Sequence, residues 1–235
     1  MKPIKPAIPV INIDIKNYYA NLLYQYTIIS MWIDKKFKIV EKIIKKESSK
    51  NMTLLDLGAR DQFLKKFISD DLQYTGVDRL QNNNDNIIIN LDKEFDKINK
   101  KFDIIAALDV IEHLDDPLKF YKNCKEYSKK LLLINFPNQA YYEIRLNFLF
   151  KGKLTNKFHF SGKPNDDRHR WFTNFENIKK FIENNKDYKS KFEIIKIYKT
   201  RNKLFLLYYI EKILGKIFPQ FFCWSFLLVE KKINN

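Results

Sequence analysis

Glycine and cysteine are scarce in this chain of 235 residues, with five of the first and two of the second. No G-x-G-x-x-G loop is present, so a dinucleotide-binding fingerprint is excluded. Cys124 and Cys223 stand far apart without metal-ligand spacing. That excludes a disulfide scaffold and a cysteine-rich zinc site, and it fits a reducing, cytoplasmic setting. Acidic residues are also short, 28 against 43 basic ones, for a net charge of +15. The excess is mostly lysine scattered among asparagine and isoleucine, a bias that A+T-rich coding produces unaided, so it does not argue for nucleic acid. It does favour an anionic substrate or a membrane surface. Repeats are not visible. The start, MKPIKPAIPVINIDIK, has three prolines and no long apolar core, so neither a secretory signal nor an anchor is expected there. Leu204 to Val229 is strongly apolar, but Glu211, Lys212, Lys216 and Pro219 interrupt it. Each charge near mid-bilayer costs roughly 2.5–3.5 kcal/mol, which rules out a span. An amphipathic helix from Leu204 to Phe218 is expected instead, with Leu206, Ile210, Ile213 and Ile217 on one face opposite Lys212 and Lys216. Peripheral contact of that helix with a membrane stays open.

The chain is organised around Met52 to Asp78. Thr53 to Leu57 reads as a strand stopped by Gly58. Phe63, Leu64, Phe67 and Ile68 then recur at helical spacing, which predicts a helix packed on the sheet. Tyr74 to Val77 is a second strand with Asp78 at its carboxyl end. An acidic residue about twenty positions after the turn glycine is placed to accept hydrogen bonds from ribose hydroxyls. The turn itself would offer backbone N–H groups at a helix N-terminus.

Asp56-Leu57-Gly58-Ala59-Arg60-Asp61-Gln62 resembles the first motif of the class I S-adenosylmethionine-dependent methyltransferases, Asp-x-Gly-x-Gly-x-Gly. Only the first glycine is kept, and Arg60 and Gln62 stand where the family uses glycine for close approach or positive φ. A second match is stronger. Phe102 to Leu108 is an apolar strand running into Asp109-Val110-Ile111-Glu112-His113-Leu114-Asp115-Asp116-Pro117, a signature of many members of that family. The resemblance covers about Leu54 to Phe181. It implies S-adenosyl-L-methionine as methyl donor and S-adenosyl-L-homocysteine as product. It also implies a Rossmann-like, doubly wound α/β fold, with a mostly parallel seven-stranded sheet and a C-terminal antiparallel hairpin. Cofactor contacts are expected from Asp56, Gly58, Ala59, Arg60 and Asp61 at the turn, and from Asp78 and Arg79 at the second strand end. Asn90, Leu91 and Asp92 follow the next strand, beside the adenine, and Ala107 and Leu108 close the fourth.

The remaining segments follow from local pattern. Asn17 to about Lys46 has a helical period, one long helix or two with a bend, and the resemblance implies that it covers the cofactor site, so residues 1–50 are expected to form a lead-in and covering helix ahead of a domain over 51–235. Asn86 to Asn90 reads as a buried parallel strand. Asp116 and Pro117 start a helix as cap and first residue. Leu131 to Phe136 is a strand, and inserted helices are expected at 139–152 and 203–218. "F-P-N" followed by "R-L-x-x-L-F-x-G-K" from Arg145 resembles the subgroup around methionine-biosynthesis protein W. Thr173 to Glu176 forms a capping box for a helix to about Asn184. Lys191 to Lys199 and Phe221 to Glu230 then pair as strands.

Function rests on the strand ends. His113 is the candidate catalytic residue, either directly or by orienting its loop. Glu112 and His113 are two adjacent ligands, not a site by themselves, so no metal is expected. Arg145, His169, Arg170 and Trp171 are the candidate acceptor contacts, suited to an anionic small molecule, glycan or lipid-linked acceptor. Two alternatives stay open: a non-catalytic binding subunit with a degraded glycine turn, and a nucleic-acid methyltransferase. Against the latter, the Asn-Pro-Pro-aromatic motif of many base-methylating enzymes is replaced by Asn135-Phe136-Pro137-Asn138.

Overall fold

A computed structural model describes residues 35–80, 85–158, 167–185, 187, 189–199 and 205–233. The lead-in, residues 17–34 of the expected N-terminal helix, and the Gln81 to Asn84 loop lie outside them. The rest of that helix, α1, occupies residues 35–47. Strands β1 (Thr53–Leu57), β2 (Gln73–Asp78), β3 (Ile87–Ile88), β4 (Phe102–Leu108), β5 (Ser128–Pro137), β6 (Ser190–Ile197) and β7 (Ser225–Lys232) follow in chain order. They form one sheet in the order β3-β2-β1-β4-β5-β7-β6. β7 runs antiparallel to both its neighbours, and the remaining pairings are parallel. This is the mixed, doubly wound sheet that the motifs imply.

The central strands are apolar on both faces because each face is covered. Leu55, Leu57, Ile105 and Ile134 pack with helix α2 (Pro117–Tyr127) and helix α4 (Phe175–Asn184) on one side. Leu54, Ile104 and Leu133 meet Val40 and Ile44 of α1 on the other. Asp116 caps α2 by accepting from Lys119 N–H at 2.9 Å, with Pro117 in the first turn. The α4 cap differs from the expected box. Asn174 accepts from Asn177 N–H, while the Thr173 hydroxyl donates to Pro137 O at 2.6 Å.

Two expectations near the site are corrected. After Gly58 the chain forms one 3-10 turn, Leu64–Phe67, rather than an α-helix, although Leu64 and Ile68 still pack on the sheet beside Leu54 and Ile104. Arg60 and Gln62 are both left-handed, at φ 47° and 53°, which breaks right-handed helical continuity at the start of the segment. Phe63 and Phe67 pack on Phe37 of α1, with ring centroids 4.9 and 5.6 Å away. The strand expected over Asn86 to Asn90 shrinks to Ile87–Ile88 at the sheet edge, where both side chains are exposed, while the flanking Asn86 and Ile89 are buried.

Helices α3 (Tyr142–Lys151), α5 (Phe205–Ile217) and α6 (Pro219–Phe222) cross the carboxyl edge of the sheet. Their position follows from register, since Pro137 and Ile197 both pair with Ser225 there. The α5 face bearing Leu206, Ile210, Ile213 and Ile217 is exposed. Glu211 and Gly215 are buried, and Glu211 accepts from the Tyr141 and Tyr142 hydroxyls at 2.8 and 2.9 Å. Among the described residues, no helix is long and apolar enough to cross a membrane.

Candidate active site

Four strand ends and one loop enclose a cleft of about 210 Å³ at the carboxyl edge. Gly58 and Arg60 follow β1, Asp78 ends β2, Ile89 to Asp92 follow β3, and Asp109 and Val110 follow β4. Arg79, Leu80, His113, Leu114 and Asp167 complete the wall. Of the residues singled out from sequence, Gly58, Arg60, Asp78, Arg79, Asn90, Leu91, Asp92 and His113 therefore meet at one surface. Asp56, Ala59, Asp61, Ala107 and Leu108 are not among its lining. Leu80, Ile89, Asp109, Val110, Leu114 and Asp167 line it without having been named as contacts; the D-V-I-E-H-L motif was the signal for Asp109, Val110 and Leu114.

The turn keeps its shape without glycine at its later positions. Gly58 sits at φ 74°, and a Cβ there would stand 2.4 Å from Val110 Cγ2. Gln62 is buried and donates to Asn86 Oδ1 at 2.9 Å, and Asn86 Nδ2 donates to Arg60 O at 2.7 Å. Gly58 and Ala59 N–H both donate to Val77 O, Gln62 N–H to Ala59 O, and Arg60 N–H to Asp78 Oδ2 at 2.9 Å. The expected presentation of these four N–H groups to a ligand is thus replaced by internal bonding, since no helix starts at the turn. Asp78 Oδ1 also accepts from Leu80 N–H at 3.0 Å. A carboxylate offers about four lone-pair positions, so Asp78 keeps capacity toward the cleft. Asp92 is anchored by accepting from Asp115 N–H at 2.7 Å.

Behind the turn, Asp56 is buried and accepts from the Tyr74 hydroxyl at 2.7 Å. Burial pushes its carboxyl up to about 7; the Tyr74 bond opposes this, and the neighbouring Asp78 charge adds to it. Asp109 is different. Burial would raise its carboxyl too, but the Lys36 ion pair and the Asn135 amide hold it below the ordinary value. Lys36 belongs to α1, so the covering helix is pinned to the strand end beside the cleft.

Beyond Asp109 the chain makes the 3-10 turn Ile111–His113, and the 167–171 loop docks on it. Arg170 N–H donates to Glu112 O at 2.9 Å, and Trp171 Nε1–H donates to Leu114 O at 2.7 Å. His169 and His113 pack edge to face, 4.7 Å between centroids. Glu112 is buried beneath them, and burial, reinforced by Asp109, raises its carboxyl well above the usual range. Burial lowers His113 and takes His169 down to about 4. Among the candidate acceptor residues, Arg170 pairs with Asp115 at the rim, and Trp171 is half exposed. Arg145 lies apart from the cleft lining. Its Nε donates to Ala140 O at 2.6 Å, and its guanidinium stacks 4.2 Å over Phe221.

Residues 31–185 match a family model described as a methyltransferase domain. The chain belongs to the S-adenosylmethionine-dependent methyltransferases. Among curated proteins, none matches it by sequence. Solved structures share its fold. The plantazolicin methyltransferase BpumL in complex with S-adenosylhomocysteine aligns with a TM-score of 0.57 at 12% identity, over 95% of this chain and 92% of that one. Magnesium protoporphyrin IX methyltransferase from Synechocystis PCC 6803, also with S-adenosylhomocysteine, gives 0.57 at 12%, over 88% and 86%. The small RNA methyltransferase HEN1 gives 0.60 at 16% over 87% of this chain, which spans only 26% of that one. The methyltransferase uses S-adenosylmethionine, which supplies a methyl group activated on sulfonium sulfur. Its cleft suits a nucleoside: an acidic residue stands at the second strand end, and the turn floor is bare where a Cβ at Gly58 would collide.

Proposed function

We propose that this enzyme methylates an acceptor presented at a membrane or carried on an apolar, lipid-linked chain. One observation carries the reading. The edge of the sheet that holds the cleft also carries α3 and α5, whose apolar side chains face outward, with Leu149 72%, Phe150 77% and Leu206 74% exposed. Exposed large apolar side chains on two helices at one edge are what an interaction site presents, and a net charge of +15 adds attraction to anionic lipid.

In this reading Asp78 accepts from the ribose hydroxyls, and Asn90, Leu91 and Asp92 flank the adenine. Gly58 leaves room for the methionine half. His113 faces the methyl group and orients the acceptor rather than serving as an obligatory base. Holding nucleophile, methyl carbon and sulfur in line is most of the work, because the leaving group is already good. His169, Arg170 and Trp171 form the acceptor side of the cleft, with Arg170 exchanging its Asp115 partner for an anionic group. Arg145 serves the apolar surface instead, through Phe221.

Flotation with phosphatidylglycerol vesicles tests the surface, and calorimetry with S-adenosylhomocysteine tests the cleft. The protein should float with anionic vesicles, and Leu149→Ser/Phe150→Ser should abolish flotation while leaving S-adenosylhomocysteine affinity unchanged. Flotation that is absent, or unchanged in the double variant, would replace the lipid-linked acceptor with a soluble one.

A further inference from the structure

Glu112 is the least accommodated side chain in the described structure. It is 1% exposed, and both carboxylate oxygens lack a hydrogen-bond partner among the described residues. The lysines that act on it, Lys36 and Lys157, are engaged with Asp109 and Asp167. A buried carboxylate without partners is costly, and its persistence calls for a ligand. Two imidazoles face it: His113 Nε2 lies 3.8 Å and His169 Nε2 3.9 Å from Glu112 Oε1. One donor atom from each of the three residues fits within a 4.8 Å sphere of mutual distances.

These separations are those of a loosened metal shell. Donors at about 2.0–2.2 Å from a tetrahedral ion stand roughly 3.4 Å apart, so the two Glu–His separations must close by about 0.5 Å and the widest separation by up to about 1.4 Å, within reach of side-chain rotation. The second shell is partly built. His113 Nδ1 lies 2.9 Å from Arg168 O, which requires Nδ1–H and leaves Nε2 unprotonated toward Glu112. His169 Nδ1 meets Gln139 Nε2, while Gln139 Oε1 accepts from Thr173 N–H. Ligation through His169 Nε2 needs a proton on Nδ1, and a half-turn of the Gln139 amide supplies the acceptor at the cost of the Thr173 bond.

We propose that Glu112, His113 and His169 bind one divalent transition-metal ion of the Zn²⁺, Co²⁺ or Mn²⁺ class. Two neutral imidazoles and one carboxylate suit such borderline ions rather than calcium. Three protein ligands leave at least one position open, and His113 also lines the cleft. An acceptor hydroxyl bound there would release its proton to solvent water more easily, giving the oxygen nucleophile that attacks the methyl carbon as the carbon–sulfur bond breaks. This last step rests on the proposed methyl transfer; the ion site itself does not.

Chelator-treated full-length protein titrated with Co²⁺ alone gives the test, read by its visible ligand-field absorption. One equivalent should bind, and Zn²⁺ should displace it. Glu112→Gln and His169→Ala, checked for folding by circular dichroism, should each weaken Co²⁺ at least tenfold. Glu112→Gln loses the charge but keeps the shape, so it separates ligation from packing. Absence of a Co²⁺ spectrum at millimolar metal, or equal binding by folded Glu112→Gln and wild type, would overturn the site. Calorimetry with S-adenosylhomocysteine on metal-free protein is independent of it: failure there with Co²⁺ binding intact would sink the cofactor cleft and leave the ion site standing.

Discussion

Gln62 donates through its side-chain amide to Asn86 Oδ1 across 2.9 Å, and by this contact a residue from the far side of β2 holds the turn after β1. Asn86 completes the bridge by donating to Arg60 O at 2.7 Å. Arg60 and Gln62, where the family motif has glycine, are here held left-handed beside these side-chain hydrogen bonds.

The two non-glycine positions of the turn should therefore respond in opposite ways. Arg60→Gly relieves a left-handed conformation worth roughly 1–2 kcal/mol against added chain entropy, so urea stability should stay level or rise slightly. Gln62→Gly relieves the same strain but leaves Asn86 buried without its donor, and stability should drop by about 1–3 kcal/mol. Equal losses in both would mean that the bridge contributes nothing. A loss confined to Arg60→Gly would assign the guanidinium a contact of its own.

Asp78 joins the turn to the cleft, since Arg60 N–H and Leu80 N–H each take one of its oxygens. Asp78→Ala should weaken S-adenosylhomocysteine ten- to a hundredfold by calorimetry, equivalent to roughly 1.5–3 kcal/mol. Asp78→Asn keeps one acceptor oxygen and should fall between the two. Unchanged affinity in folded Asp78→Ala would move the nucleoside elsewhere.

Gly58 has no room for a methyl group, because its Cβ would meet Val110 Cγ2 at 2.4 Å while φ is 74°. Gly58→Ala should lower the thermal midpoint and abolish detectable cofactor binding. The double variant Gly58→Ala/Val110→Ala removes the clash but not the backbone strain, so it should recover part of the stability. Full recovery would show that strain at Gly58 is negligible; none would show that Val110 is not the obstacle.

Asp56 should make stability depend on pH. Its folded value of about 7 stands above the unfolded value near 4. Across that interval the folded state retains a proton that the unfolded chain has released, so stability falls as pH rises from about 4 to 7. The full difference is roughly 4 kcal/mol. Urea midpoints at pH 5 and pH 8 should diverge less in Asp56→Asn, whose amide oxygen still accepts from Tyr74, than in wild type, the buried Glu112 carboxyl contributing a remaining slope of the same sign. A slope that survives in Asp56→Asn belongs to another group.

The sequence by itself determined the central strands and their motifs, but not the short edge strand Ile87–Ile88. Leu54, Ile104 and Leu133 sit in short apolar runs punctuated by Gly58, Asp109 and Pro137, and such punctuation is a property of neighbouring residues alone. Asp116 before Pro117 likewise announced its helix, because capping is local chemistry. What only the tertiary structure decided are the partnerships between distant segments. Nothing near His169 in sequence says that it meets Glu112 and His113, or that Lys36 reaches Asp109. The same holds for the segment after Gly58. Its apolar spacing is helical, yet the left-handed turn spends its first residues, and Phe63 and Phe67 meet Phe37 while only Leu64 and Ile68 reach the sheet. On α5 the period was legible but not its orientation: Glu211 is buried against the hydroxyls of Tyr141 and Tyr142 at the start of α3, while the face bearing Leu206, Ile210, Ile213 and Ile217 is exposed.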